Sequence, residues 1–188
     1  MTALSLLVCA ALAAPRPPAP EPAEPPPPAT AAEQAERIQA ALGRIHGSPA
    51  PATWRSLGPG ADEALLKVAA DGAALPRRRA LALTGLSHLG GARAEAALTS
   101  FAAQEGLPFA VRAAALEGAG RLLAPAALHR ALSPVLAARR PADRTVAAEV
   151  LAERAPAESC GAIRARAALR GERPGLARAL SRCGASGR

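Results

Sequence analysis

Four prolines, Pro76, Pro108, Pro141 and Pro174, recur at a near-constant interval of about 33 residues, the length of a two-helix repeat. Each stands just before an Ala- and Leu-rich segment of helical period. A proline there starts a helix at no cost, because the first helical N–H has no partner and the ring already holds a helical φ. Self-similarity at this period is the mark of stacked helical hairpins, units too small to bury their apolar faces alone. The expected fold class is all-α: an α-solenoid of antiparallel helix pairs, preceded by a disordered Pro-rich segment. Composition points the same way. Aromatics make up only 2% of the chain, Trp54, Phe101 and Phe109 with no tyrosine, whereas strands favour aromatic and β-branched residues and helices favour Ala and Leu.

The chain divides into four stretches. Residues 1–14 are apolar, uncharged and followed by proline, which predicts a secretory signal over residues 1–13 with Ala11-Leu12-Ala13 as its cleavage site; the run is too short to span a bilayer. Cys9 raises the alternative of a lipid anchor. Residues 14–30 are dominated by proline and form an extended spacer. Residues 31–47 form an N-terminal helix, expected to run from Ala31 to about His46, with Thr30 and Glu33 as its capping box. Residues 48–188 form the array and its capping helix.

Within the array the expected helices are Pro51–Leu57, Asp62–Ala70, Arg77–Leu89, Ala92–Gln104, Phe109–Leu123, Ala126–Ala138, Ala142–Arg154, Cys160–Arg170 and a last single helix, Gly175–Cys183. The second helix of each unit keeps the cleaner register. Ala94, Ala97, Leu98, Phe101 and Ala102 share one face, and Leu128, Ala131, Leu132, Val135 and Leu136 repeat that spacing one unit later. In the first helices Leu83, Gly85 and Leu89 stand one repeat before Leu116, Gly118 and Leu122. Pro134 falls inside one predicted helix and is expected to kink it.

Segments such as Val111-Arg112-Ala113-Ala114-Ala115-Leu116-Glu117-Gly118-Ala119-Gly120-Arg121-Leu122, followed by a turn and a Leu-rich helix, resemble the short HEAT-like repeats of the phycobilisome-lyase type. The resemblance covers roughly residues 60–173 and implies an α-solenoid. It implies little about function, since such repeats serve as binding scaffolds and, in a few families, as enzymes. The metal hydroxylases of this kind use His-Glu pairs, but His46, His88 and His129 are followed by Gly, Leu and Arg. A tetrapyrrole lyase or a DNA glycosylase would want more aromatic surface. Tetratricopeptide repeats are matched only once, by Trp54-Arg55-Ser56-Leu57-Gly58.

Two constellations stand out. Arg79, Arg112, Arg144 and Arg178 follow the four phase-setting prolines by three or four residues, so stacked units are expected to align them as a ladder. The resemblance implies that such arginines bond acidic or carbonyl groups of the neighbouring turn. The functional alternative is an anion or partner site built on Arg77, Arg78 and Arg79, three cations in one helical first turn with free N–H groups nearby. Cys160 and Cys183 are the only cysteines beyond the signal, and an exported chain would oxidise such a pair. With Cys160 opening one helix and Cys183 closing its antiparallel neighbour, a disulfide would staple the last helix and contribute roughly 3 kcal/mol. Two further ligands would be needed for zinc, and none is near.

No sequence pattern places a histidine beside a nucleophile, and neither a catalytic residue, a cofactor nor a metal is expected. The net charge of +8, from 23 basic against 15 acidic residues, favours an acidic partner. From Ser159 onward seven arginines stand against the single acid Glu172, a patch that nucleic acid would also attract. Too few aromatics are present to stack bases, so a protein partner is favoured over nucleic acid or a small-molecule substrate. The expected function is a non-catalytic protein-binding or assembly scaffold of the bacterial envelope, periplasmic or secreted. Its rivals are a cytosolic lyase-type accessory enzyme, which requires an uncleaved N-terminus, and a basic nucleic-acid-binding module.

Overall fold

A computed structural model describes residues 30–44 and 47–185. The expected signal and the Pro-rich residues up to Ala29 lie outside the described residues, as do Ile45, His46 and residues 186–188. Among the described residues every regular element is helical, and no helix is long and apolar enough to cross a membrane.

Helix α1 (Ala31–Leu42) opens as its sequence dictates: Thr30 Oγ1 accepts from the Glu33 N–H at 3.3 Å, and Glu33 Oε2 accepts from the Thr30 N–H at 2.8 Å. It stops four residues before His46, with Gly43 as its C-cap, because glycine is among the poorest helix formers. The remaining helices are α2 (Pro51–Arg55), α3 (Ala61–Ala70), α4 (Pro76–Leu89), α5 (Ala92–Ala103), α6 (Phe109–Leu122), α7 (Pro125–Leu132), α8 (Pro141–Arg154), α9 (Pro156–Ala167) and α10 (Arg173–Ala185). Pro51, Pro76, Pro125, Pro141 and Pro156 each occupy a first helical position, where a missing N–H is harmless.

Several boundaries in the array also differ from expectation; α2 ends at Arg55 rather than Leu57. Pro134 does not kink a continuous helix; α7 ends at Leu132 and a 3-10 segment, Ser133–Ala137, carries the chain on. Proline has no N–H to give the Arg130 carbonyl, and the tighter winding closes the gap. Helix α9 begins at Pro156 rather than Cys160, the proline serving as helix start rather than as turn. Helix α10 runs from Arg173 to Ala185, so neither cysteine lies at a helix end: Cys160 sits in the second turn of α9, and Cys183 stands two residues before the last of α10.

Helix α4 packs along α6, α6 along α8, and α8 along α10, while α3 lies on α4, α5 on α6 and α9 on α10. The core is built from the faces that the repeat predicts. Ala94, Leu98, Phe101 and Ala102 are buried, as are Leu128, Leu132, Val135 and Leu136. Two glycines set how closely the helices approach. A Cβ on Gly85 would stand 2.9 Å from Leu65 Cδ1 and 2.7 Å from Trp54 Cε3, and one on Gly118 would stand 2.7 Å from Leu98 Cδ2. Gly85 and Gly118 are one repeat apart, as are Leu65 and Leu98, so one knob-and-notch contact is made twice.

Candidate functional site

The arginine ladder is built from the first turn of each first helix. Arg79, Arg112 and Arg144 are each the fourth residue of their helices, α4, α6 and α8, and all three are buried. Arg79 Nε donates to the Ala69 carbonyl at 2.9 Å, Arg112 Nε to the Ala102 carbonyl at 2.9 Å, and Arg144 Nη1 to the Ala138 carbonyl at 2.8 Å. These acceptors end the preceding helical segments, where carbonyls lack an intrahelical partner and the helix dipole is negative. The conflict between a cation and its own helix N-terminus is thus resolved by reach: each guanidinium leaves its own first turn and caps a neighbour's C-terminus.

Carboxylates complete two of the three rungs. Arg112 Nη1 donates to Asp143 Oδ2 at 2.7 Å, with the side chains only 2% and 1% exposed. Arg144 holds Glu172 with both arms, Nε to Oε2 at 3.0 Å and Nη2 to Oε1 at 2.7 Å, and Arg166 Nη2 adds a third contact at 3.1 Å. The Arg144 hydrogen bond, with help from Arg166, holds the Glu172 carboxyl below the ordinary glutamate pKa against a smaller opposing effect of burial. Arg79 has no acid: among the described residues the sole hydrogen bond of its side chain is the one to Ala69, and no ion pair reaches it.

The other predicted site residues do not converge. Arg77 donates to the carbonyls of Arg44, at 3.0 Å from Nη2, and Gly47, at 3.4 Å. Arg78 turns instead to the Gln39 side chain on α1. Arg178 stands off the ladder, exposed, with Nη1 3.5 Å from Glu149 Oε1. Three adjacent cations therefore take three directions and form no common anion pocket. Sequence spacing registered their charge but not their reach.

Cys160 and Cys183 are joined, Sγ to Sγ at 2.02 Å and Cα to Cα at 5.5 Å. Both are buried, and Arg164 Nη2 on α9 donates to the Cys183 carbonyl at 3.0 Å, giving α10 a second tie beside the first.

One pairing leaves no signal in the sequence. His129 Nδ1 lies 3.0 Å from Ser159 Oγ, bringing together a histidine and a hydroxyl that no motif links. Ser159 is wholly buried, so the contact satisfies a hydroxyl in the interface of α7 and α9 and offers a substrate no approach. His88, half-buried, is held below the ordinary histidine pKa by burial and then by the charges of Arg121 and Arg55. Among the described residues no three His, Cys, Asp or Glu gather as a metal site. No family model matches the chain, and no curated protein or solved structure does either.

Proposed function

We propose that the chain is an exported α-solenoid of HEAT-like repeats, acting as a non-catalytic scaffold that binds or assembles an acidic protein partner in the bacterial envelope. The observation that carries this reading is the recurrence of arginine joints one repeat apart. Arg77 reaches the Arg44 carbonyl, Arg140 the Leu107 carbonyl and Arg182 the Glu149 carbonyl, all at the same sequence separation. Arg121 reaches the Ser87 hydroxyl and Arg154 the Gly120 carbonyl, again one repeat back. Side chains that contact only the next unit are what a one-dimensional stack requires, and such stacks present extended surfaces to partners.

The joined Cys160 and Cys183 support an oxidising compartment, and the surplus of arginine supports an acidic partner. The test is photo-crosslinking in the native cell from exposed positions along the array, combined with intact mass. The reading expects a mature chain starting near Ala14, a gain of two hydrogens on reduction, and one recurrent acidic protein crosslinked from neighbouring positions. A full-length chain with free thiols would overturn export, and crosslinks scattered over unrelated proteins would overturn the scaffold.

A further inference from the structure

The three rungs of the arginine ladder are alike in position and unlike in completion, and two exposed apolar side chains lie toward the incomplete one: Leu75 is the N-cap of α4, and Phe109 opens α6, which packs along α4. Arg112 and Arg144 each cap a carbonyl and meet a carboxylate, Asp143 or Glu172. Asp143 is the third residue of α8; the third residue of α6, which packs on α4 as α8 packs on α6, is Val111. Arg79 is only 8% exposed, yet its two Nη groups carry no hydrogen bond among the described residues. They are not sealed from solvent either, since neither is a fully enclosed unpaired atom. A buried guanidinium held by one arm, with two donors open, is a preformed carboxylate receptor.

The surroundings narrow what fits. Leu75, whose carbonyl accepts from the Arg79 N–H, is 73% exposed, and Phe109, the first residue of α6, is 43% exposed. Large apolar side chains so exposed are few among the described residues, Leu169 being the third. Arg77 and Arg78 add positive charge to the same edge, and no ion pair neutralises either among the described residues.

We infer that Leu75, Arg79 and Phe109 form a docking point for an acidic segment of a partner protein, whose carboxylate completes the Arg79 rung while an adjacent apolar side chain covers Phe109 and Leu75. The inference rests on the scaffold reading and names the part of the array that binds.

The test measures fluorescence anisotropy of the full chain with a short labelled peptide alternating Glu and Leu, against Gln-Leu and Glu-Ser peptides. The Glu-Leu peptide is expected to bind best. Arg79→Gln, which keeps a donor for the Ala69 carbonyl, is expected to weaken binding about tenfold or more, the loss of hydrogen bonds to a charged group. Phe109→Ser and Leu75→Ser alter exposed side chains, keep the fold, and are each expected to weaken binding about threefold by removing apolar contact area. Arg130→Gln, on exposed α7 surface, is expected to leave it unchanged. Equal binding by the parent, Arg79→Gln and Phe109→Ser would overturn the site while leaving the scaffold reading standing; no binding of any acidic peptide would overturn the acidic-partner reading itself. A single-stranded oligonucleotide binding with the same dependence on Arg79 would overturn the inference in favour of phosphate recognition. A gain in peptide affinity on Glu21→Gln/Glu24→Gln would overturn it in favour of the chain's own Pro-rich segment.

Discussion

Asp143→Ala is the perturbation that most directly tests whether the joints between helices are as dry as their geometry implies. The substitution removes the carboxylate 2.7 Å from Arg112 Nη1 in an interface where neither side chain is more than 2% exposed. The Arg112 Nε bond to the Ala102 carbonyl survives, but the charge it leaves has lost its counter-ion, and breaking one side of a buried pair costs about 3–5 kcal/mol. The second partner of Asp143, Arg140, is 39% exposed and 3.5 Å away, so Arg140→Ala removes a contact worth at most about 1 kcal/mol. At about 2–4 °C per kcal/mol for a chain of this size, Asp143→Ala should lower the melting temperature by roughly 10 °C. The assay is thermal and urea unfolding followed by circular dichroism, with Asp143→Asn expected between parent and Ala because it keeps an acceptor. The decisive variant is Arg112→Met/Asp143→Ala, which removes the stranded charge and should be more stable than Asp143→Ala alone. If the double variant is the less stable of the two, or the single one costs under about 1 kcal/mol, the pair is solvated and the argument from burial fails.

Other joints give further expectations. Gly118→Ala gains about 1 kcal/mol of helix propensity, but its Cβ meets Leu98 Cδ2 at 2.7 Å and Ser87 Cβ at 3.1 Å, so overpacking of about 1–3 kcal/mol should leave it less stable. Gly161→Ala, with nothing within 4 Å, should instead stabilise by about 0.5–1 kcal/mol; urea midpoints of the two variants should move in opposite directions. Cys160→Ala/Cys183→Ala should lose about 3 kcal/mol, with amide exchange rising first in α10 rather than across α4 and α6. Glu172 has its folded pKa depressed, so its contribution to stability is fully present above the ordinary value of 4.5 and is lost as pH falls below it. Melting temperatures between pH 7 and pH 3 should therefore fall more steeply for the parent than for Glu172→Gln, and equal slopes would show that Arg144 does not hold the carboxylate.

What the sequence made legible was periodic, and what it hid was reach. Prolines and apolar stripes recur along the sequence, so helix order and the buried faces follow from spacing, whereas the partnership of Cys160 with Cys183 is expected from their being the only cysteines beyond the expected signal. Pro156 escapes such a reading because a proline after a helix and a proline opening the next helix are identical letters, and the turn here shrinks to the single residue Ala155, which caps both helices. Pro134 suggests a kink because sequence does not reveal that the chain can tighten into 3-10 winding. The pairing of His129 with Ser159 spans two second helices with no motif between them. Long arginine side chains are the extreme case: Arg77, Arg78 and Arg79 are adjacent in sequence, yet they end on the loop after α1, on α1 itself and on α3.

The same reach changes what the net charge means. A surplus of +8 suggests a diffuse basic surface, but much of the arginine is committed to carbonyls and carboxylates of neighbouring helices, and each committed guanidinium is both a structural joint and a charge withdrawn from solvent. Binding by long-range attraction alone would then be weaker than composition suggests, and would fall with salt without depending on any one residue. Recognition at an unfinished joint behaves differently. It depends on one guanidinium that the fold has already buried and oriented, so a ligand carboxylate gains the pairing without ordering a flexible side chain. Arg79 is where the structural joint and the binding charge coincide, since the bond to Ala69 holds the side chain in place whether or not a partner is bound, and the open Nη groups remain for a carboxylate that the neighbouring helix, with Val111 in the position of Asp143, does not provide.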